Sequence, residues 1–240
     1  MNEYRPHIAV VGASGAVGEV MLSILAERGH REDRVTALAS ERSAGGDVDF
    51  GNTRLTIEDL ATFDFSGIDY ALFSAGGSVS EAFAPKAAAA GAIVIDNTSA
   101  FRYIDDIPLV VPEVNAHALK DIRPGAIIAN PNCSTIQMVV ALAPIQREVG
   151  IARINVATYQ SVSGAGAGGL RELAEQTAAR LTFKEPELKQ FAQPLAFNCL
   201  PQIDSMQDNG YTREEMKMVW ETQKIFEDPE VLVNATAVRV

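Results

Sequence analysis

A short apolar run at 7–11 leads directly into Gly12-Ala13-Ser14-Gly15-Ala16-Val17-Gly18, and a helix-forming stretch follows at about 16–28. No other feature restricts the fold as much. A glycine turn between a strand and a helix lets the backbone approach a pyrophosphate, whose charge the helix N-terminus then meets. The spacing is G-x-x-G-x-x-G, not the commoner G-x-G-x-x-G, and glycine turns that bind nothing share it. Its place between a strand and a helix is what points to a dinucleotide. Further short apolar strands are expected at 34–39, 70–73, 93–96 and 126–129, with helical stretches between them, the clearest being the alanine-rich 79–90. This alternation predicts an α/β chain with a Rossmann-like, doubly wound parallel sheet.

Beyond residue 130 the texture changes. Longer, alternating strands are expected at 153–161, 195–200 and 231–240, separated by helices near 169–181 and 212–226. The expected organisation is a nucleotide-binding domain at 1–130 and an α+β catalytic and dimerisation domain at 131–240. A hydrophobic content of 47% in 240 residues is enough for a sizeable core. The net charge of -11 argues against nucleic acid or an anionic membrane as a partner. The start of the chain shows no signal-peptide pattern and no run has the length of a membrane span. With only Cys133 and Cys199, the chain reads as cytoplasmic and free of structural disulfides. No Cys/His cluster has zinc spacing, so no metal is expected.

Cys133 lies in Asn130-Pro131-Asn132-Cys133-Ser134-Thr135, between the apolar run 125–129 and a helical stretch at 135–145. Pro131 and the flanking asparagines mark a turn. A thiol there meets unpaired N–H groups and the positive end of a helix dipole, surroundings that favour the nucleophilic thiolate. A buried structural cysteine fits the turn equally well. Cys199, in contrast, is expected inside the apolar strand 195–200, inert and packed as a small hydrophobe.

The second strand runs into Ala39-Ser40-Glu41-Arg42-Ser43-Ala44-Gly45-Gly46. An acidic residue at this point holds a ribose 2′-hydroxyl, whereas an arginine suits the 2′-phosphate of NADP. Arg42, with Ser40 and Ser43 beside it, favours NADP; Glu41 is the dissenting residue.

Taken in order, these segments resemble the aspartate-β-semialdehyde dehydrogenase family. The likeness runs through G-A-S-G-A-V-G (12–18), A-S-E-R-S-A-G-G (39–46), F-S-A-G-G (73–77), D-N-T-S-A-F-R (96–102) and V-V-P-E-V-N (110–115). It continues in N-P-N-C-S-T (130–135), Q-S-V-S-G-A-G (160–166), G-Y-T-R-E-E-M-K (210–217) and V-R-V (238–240). The resemblance implies Cys133 as the nucleophile of a thioester intermediate and Gln160 as a substrate-orienting residue. It implies Glu214 and Arg239 as contacts to the substrate's amino and carboxylate ends, and Arg102 and Lys217 as the phosphate-binding pair. Cofactor contacts would come from Ser14, Gly15, Ala16, Val17, Arg42, Ser43, Ser163 and Gly164. The implied reaction is the reversible, phosphate-dependent reduction of L-4-aspartyl phosphate to L-aspartate 4-semialdehyde with NADP, by a homodimer, in lysine, threonine, methionine and diaminopimelate biosynthesis.

By residue type alone, Glu214 and Lys217 share a helix face and read as a surface ion pair. Arg102 and Arg239 read as solvated, and Gly164 to Gly169 as a glycine-rich turn. On the 212–226 helix, Met216, Val219, Trp220 and Phe226 are expected to form the packing stripe. The family also carries an acid–base histidine shortly after the position of Arg239. His7, His30 and His117 do not match it, so that histidine is expected beyond Val240, and the chain is read as truncated and poorly active. Two alternatives stand beside this reading. One is an N-acetyl-γ-glutamyl-phosphate reductase-like enzyme, whose N-P-G-C-Y-P-T pattern Asn132 and Ser134 break. The other is a noncatalytic NADP-binding fragment.

Overall fold

The computed structural model describes residues 5–240, and the chain divides into two compact units, one running to Asn132 and the other Cys133–Val240. In the first unit β1 (Ile8–Val11) leads through α1 (Ala16–Glu27) to β2 (Val35–Ala39), β3 (Asp47–Phe50), β4 (Thr53–Asp59) and β5 (Tyr70–Phe73). After these come α2 (Gly77–Ala89), β6 (Ile93–Asp96), α3 (Pro112–Asn115) and β7 (Ile127–Ala129). The strands form one sheet in the order β3-β4-β2-β1-β5-β6-β7, parallel except for the β3–β4 pair. This is the doubly wound sheet that the alternation predicts. β1 is buried along its whole length, as a central strand covered on both faces must be. Ile8 and Val10 of β1 join Leu22 and Leu25 of α1, Val35 of β2 and Ile57 of β4 in one core cluster.

From β1 the chain winds one way through β2 and β4 and then the other way through β5, β6 and β7. The reversal leaves a crevice at the carboxyl ends of the strands, where ligands of such sheets bind. Two glycines make it possible. Gly12 has φ +92°, and a Cβ there would lie 2.9 Å from the backbone of Ser74. At Gly18 a Cβ would fall 2.1 Å from the Gly12 carbonyl oxygen. Any larger side chain at position 18 would push α1 off the end of β1. The antiparallel hairpin β3–β4 is not among the expected strands, although Gly51-Asn52 between two alternating runs is its signature.

The second unit contains α4 (Cys133–Val149), β8 (Arg153–Gln160), α5 (Gly166–Leu181), α6 (Arg213–Phe226) and β9 (Leu232–Arg239). β8 and β9 pair in parallel, from Arg153 opposite Leu232 to Gln160 opposite Arg239. α6 packs against both β9 and α4.

Three expectations are corrected in this unit. Residues 195–200 form no strand. Their backbone donors are taken locally: Gln176 Oε1 accepts from the N–H groups of Leu195 (2.7 Å) and Ala196 (3.1 Å), and Asn198 N–H bonds to Leu195 O. Phe197 turns the chain with φ +62°, and only Leu200 reaches β9, as a bridge to Arg239. Cys199 is therefore exposed, not packed. The buried face of α6 is not Met216, Val219, Trp220 and Phe226 but Glu214, Met218, Glu221, Thr222 and Ile225, since the helix turns this side inward. The glycine-rich stretch is no loose turn either. Residues Val162–Ala165 form a 3-10 turn capped by Ser161 and run into α5, whose Gly169 leaves only 2.8 Å between a Cβ and the Ala165 side chain.

The irregular segment after α5 hangs on one buried carboxylate. Glu172 is 1% exposed and accepts from the backbone N–H groups of Lys189 (3.0 Å) and Gln190 (2.6 Å) and from Gln176 Nε2 (2.9 Å). Burial pushes its carboxyl up, but these donors outweigh burial and hold it below the usual range. A depressed folded value means the stabilisation is present above the unfolded value, near 4.3, and is lost as pH falls through the folded one. Glu172→Gln should cost about 1–3 kcal/mol at pH 7. Urea denaturation should show this difference shrinking as the pH is taken below about 4.

Candidate active site

The crevice of the first unit is a cleft of about 510 Å³ lined by the glycine turn, the ends of β2 and β4 and the start of the segment after β5. Gly12, Ser14 and Gly15 form one wall and Ser40, Glu41 and Arg42 another, with Asp59, Ser74, Val79 and Phe83 closing it. Gly15 stands at the N-cap of α1 in extended conformation, so the helix starts at Ala16 and directs its free N–H groups outward. Ala16 and Val17 are its first residues, and Val17 is exposed. Ser14 Oγ donates to Ser43 Oγ across 3.4 Å and ties the glycine turn to the loop after β2. The site fits a dinucleotide. Backbone approaches that a Cβ would fill, a helix N-terminus for phosphate and an arginine at the end of β2 are the parts such a ligand needs. Glu41 lines the cleft together with Arg42 and does not turn away from it. Sequence reasoning misses Asp59 and Phe83, because nothing in their local pattern announces where β4 and α2 end up in the sheet.

Two further groups of the first unit meet near the end of β6. Arg102, which reads as solvated from its residue type, is only 6% exposed, and its Nη2 donates to Asn97 O at 2.9 Å. Asn130 Nδ2 donates to Asn97 Oδ1 at 2.6 Å, and Asn130 N–H bonds to Asp96 O at 2.8 Å. Arg102 and Asn130 thus converge on one asparagine.

The second unit gathers the remaining predicted residues. Cys133 is the first residue of α4 and is exposed. Gln160 and Arg239 are the last residues of β8 and β9 and stand opposite each other in the register. Gln160 Nε2 donates to Glu214 Oε1 at 3.0 Å, and Thr158 Oγ1 donates to Gln160 Oε1 at 2.8 Å, which fixes the orientation of that amide. Glu214 Oε2 lies 3.0 Å from Lys217 Nζ, which also lies 2.9 Å from Asp204 Oδ2. The side chains of Lys217 and Glu214 are only 14% and 8% exposed, so this is a part-buried pair and not the surface pair that residue type suggests. The cause is the inward rotation of α6.

Arg239 is likewise buried, and its Nη1 donates to Ser161 O. Burial pushes its guanidinium down from the usual arginine range, opposed by Glu214 and by Cys133. The guanidinium therefore lies within electrostatic reach of both the thiol and the Glu214 carboxylate. Gly164 belongs here too: a Cβ on it would come within 3.3 Å of Arg239 Nη1. Ser163 donates its N–H to Ser161 Oγ and has its hydroxyl 3.1 Å from the same oxygen. Burial pushes the Lys217 ammonium down, but Glu214 and Asp204 outweigh it and hold it above the usual lysine range. For Asp204, burial pushes the carboxyl up, while Lys217 and the Ser205 N–H outweigh it and hold it below the usual range. Thr158 and Asp204 carry no motif and are not legible from the sequence. His7, His30 and His117 lie outside the second unit, which has no histidine. His7 Nε2 is 3.0 Å from Thr36 Oγ1, and His117 is exposed in a 3-10 turn. Among the described residues no group of three or more His, Cys, Asp or Glu could hold a metal ion, and no helix is long and apolar enough to cross a membrane.

Comparison with known proteins places the chain in a family. Residues 7–122 match the NAD binding domain of semialdehyde dehydrogenase, and residues 142–240 match the semialdehyde dehydrogenase dimerisation domain. Aspartate-semialdehyde dehydrogenase 2 of Vibrio cholerae is 59% identical over 234 residues, which cover 98% of this chain and 69% of that protein. The enzyme of Bacillus subtilis is 53% identical, with coverage of 98% and 69%. The crystal structure of aspartate semialdehyde dehydrogenase II from Vibrio cholerae superposes with a TM-score of 0.95 at 58% identity, over 99% of this chain and 71% of that one. A second structure of that enzyme, complexed with ASA, gives 0.95 at 57% identity, with coverage of 99% and 71%. With a dinucleotide cleft in one unit, a thiol–arginine–carboxylate constellation in the other and relatives of this identity, the chain belongs to the aspartate-semialdehyde dehydrogenase family.

Proposed function

We propose that this chain serves the reversible, phosphate-dependent interconversion of L-4-aspartyl phosphate and L-aspartate 4-semialdehyde, with NADP as cofactor. The observation that carries the proposal is that Arg239 lies within electrostatic reach of both Cys133 and Glu214 inside one unit, with Gln160 bonded to Glu214. A nucleophile beside one cation and one anion suits an amino acid whose two charged ends must be held while its side-chain carbonyl is attacked. Glu214 would take the amino end and Arg239 the carboxylate. Gln160, held by Thr158, would orient the reacting group. In the oxidative direction Cys133 would add to the aldehyde carbon, and the adduct would give up a hydride to become a thioester. Phosphate would then displace the Cys133 thiolate and release the acyl phosphate. Lys217 and Arg102 would bind that phosphate group. When bound in the cleft, the nicotinamide cofactor supplies the hydride chemistry. Ser14, Gly15, Ala16 and Val17 would meet its pyrophosphate, Arg42 and Ser43 its 2′-phosphate, and Ser163 and Gly164 would contact it from the second unit's sequence. The domain assignment 1–130 for the cofactor and 131–240 for catalysis and dimerisation belongs to the same reading. So do a homodimeric, cytoplasmic enzyme and a place in amino-acid biosynthesis. Sedimentation velocity tests the dimer directly.

Cys133 stands at a helix N-terminus and Cys199 in an irregular segment, and both are exposed. Substoichiometric alkylation at neutral pH followed by mass spectrometry should modify Cys133 first. Earlier labelling of Cys199 would remove Cys133 from the nucleophile's role.

Arg42→Ala should weaken NADP binding by about tenfold or more while changing NAD binding little, since a charge-assisted bond to the 2′-phosphate exists only for NADP. Titration calorimetry with both cofactors measures it. An equal loss for both would mean that Arg42 does not read the 2′-phosphate.

The 240-residue polypeptide should bind NADP yet turn over slowly, because the unit that carries Cys133 has no histidine to exchange protons with the reacting group. Loss of such an acid–base group typically costs about 10²–10⁴-fold in rate. The check is phosphate-dependent NADPH formation from aspartate semialdehyde, set against the Vibrio cholerae relative. A rate equal to that of the relative would show that another group of this chain moves the proton.

A further inference from the structure

Lys217 is held by two carboxylates, and they are not equivalent. Glu214 is a member of the same helix, its side chain is 8% exposed, and its second oxygen accepts from Gln160 at 3.0 Å. Asp204 comes from the irregular segment that precedes α6. Its side chain is 36% exposed, its backbone is left-handed with φ +69°, and its second oxygen accepts the N–H of the next residue, Ser205, at 2.8 Å. The segment is anchored on both sides of this carboxylate, by the buried Ile203 and by the bond from Arg213 N–H to Ser205 O at 2.7 Å. Asp204 is therefore placed against the ammonium by its neighbours, although its own carboxylate is free to return to water.

We propose that Asp204 is a positioning residue that occupies the Lys217 ammonium and yields it to the incoming phosphate group, setting how tightly that anion binds. The proposal rests on the reading of Lys217 as a phosphate-binding residue. Arg239 lies within electrostatic reach of Glu214 and Arg213 within that of Asp204, so the surroundings as a whole are not negative. The obstacle to an anion is local, because the Lys217 ammonium is already engaged by both carboxylates and an anion brought to it meets them as like charges. One of the carboxylates must give way for an anion to be held. The exposed one regains hydration when it leaves, whereas the buried one would keep its desolvation penalty without its partner. Asp204 is the one that can move. While it remains, it keeps the four-carbon stem of Lys217 from wandering and leaves the ammonium, a three-donor group, aimed at one location.

Direction distinguishes this role from a merely structural one. Damage to the fold weakens phosphate binding, but removal of a competing carboxylate strengthens it. Calorimetric titration of the 240-residue chain with inorganic phosphate should show Asp204→Asn binding about fivefold to twentyfold more tightly than the wild type, the range expected for taking one charge from beside an anion at a partly exposed site. Asp204→Glu should return the affinity to near the wild-type value. Lys217→Met should weaken it. An Asp204→Asn variant that binds phosphate no more tightly than the wild type, or not measurably, overturns the proposal; if Lys217→Met nevertheless weakens binding, the role of Lys217 stands without it. Unchanged phosphate affinity in Lys217→Met removes the reading of Lys217 and the proposal together.

Discussion

The carboxylate of Glu215 sets the geometry of the second unit. One of its oxygens accepts from the backbone N–H of Thr212 at 2.7 Å, completing a capping box at the start of α6. The other accepts from Ala237 N–H in β9 at 3.0 Å. A single side chain thereby joins the first turn of a helix to the last part of a strand. Charge-assisted bonds of this kind are worth more than neutral ones, and a buried carboxylate with its donors satisfied resists displacement. Its neighbours inherit their positions from it. Glu214 faces Gln160, Lys217 follows one turn later, and Arg239 lies two residues beyond Ala237 on the same strand.

Burying Glu214, Lys217 and Arg239 in such a small unit demands compensation. An isolated charge out of water costs several kcal/mol, and here each charge faces an opposite charge or a carbonyl. The positive ends of Lys217 and Arg239 meet Glu214, and the guanidinium also meets the carbonyl oxygen of Ser161. The result is a set of charged groups that their partners hold in place before any substrate arrives, which is how a binding site avoids reorganising during reaction. The first unit solves a different problem by a different means. There the site is made chiefly of backbone, and the absence of side chains at Gly12 and Gly18 lets α1, β1 and the segment after β5 come close enough to leave the helix N-terminus open.

Much of the fold was legible because it depends on local chemistry. Strand–glycine–helix order at residues 7–28 and short apolar runs spaced by helices pointed to the parallel sheet. The strand expected at 195–200 failed for a reason that is not local. Its apolar content was real, but Gln176, some twenty residues earlier in the chain, captures the N–H groups of Leu195 and Ala196 that a sheet would have used. The exposure of Cys199 follows from the same capture.

The sequence points to candidate residues for the site but not to their states. Sequence alone determined which chemical groups are present, that Cys133 stands at the start of a helix, and that Glu214 and Lys217 share a face, because these follow from composition and helical periodicity. Tertiary structure alone decided that this face points inward, that Arg102 and Arg239 are buried, and that Asp204 reaches Lys217 from a separate segment. The physical reason is that burial and charge pairing depend on what lies across the fold from a residue. Residues 204 and 217 carry no mutual signal along the chain, and only the packing of α6 brings their charges within 2.9 Å.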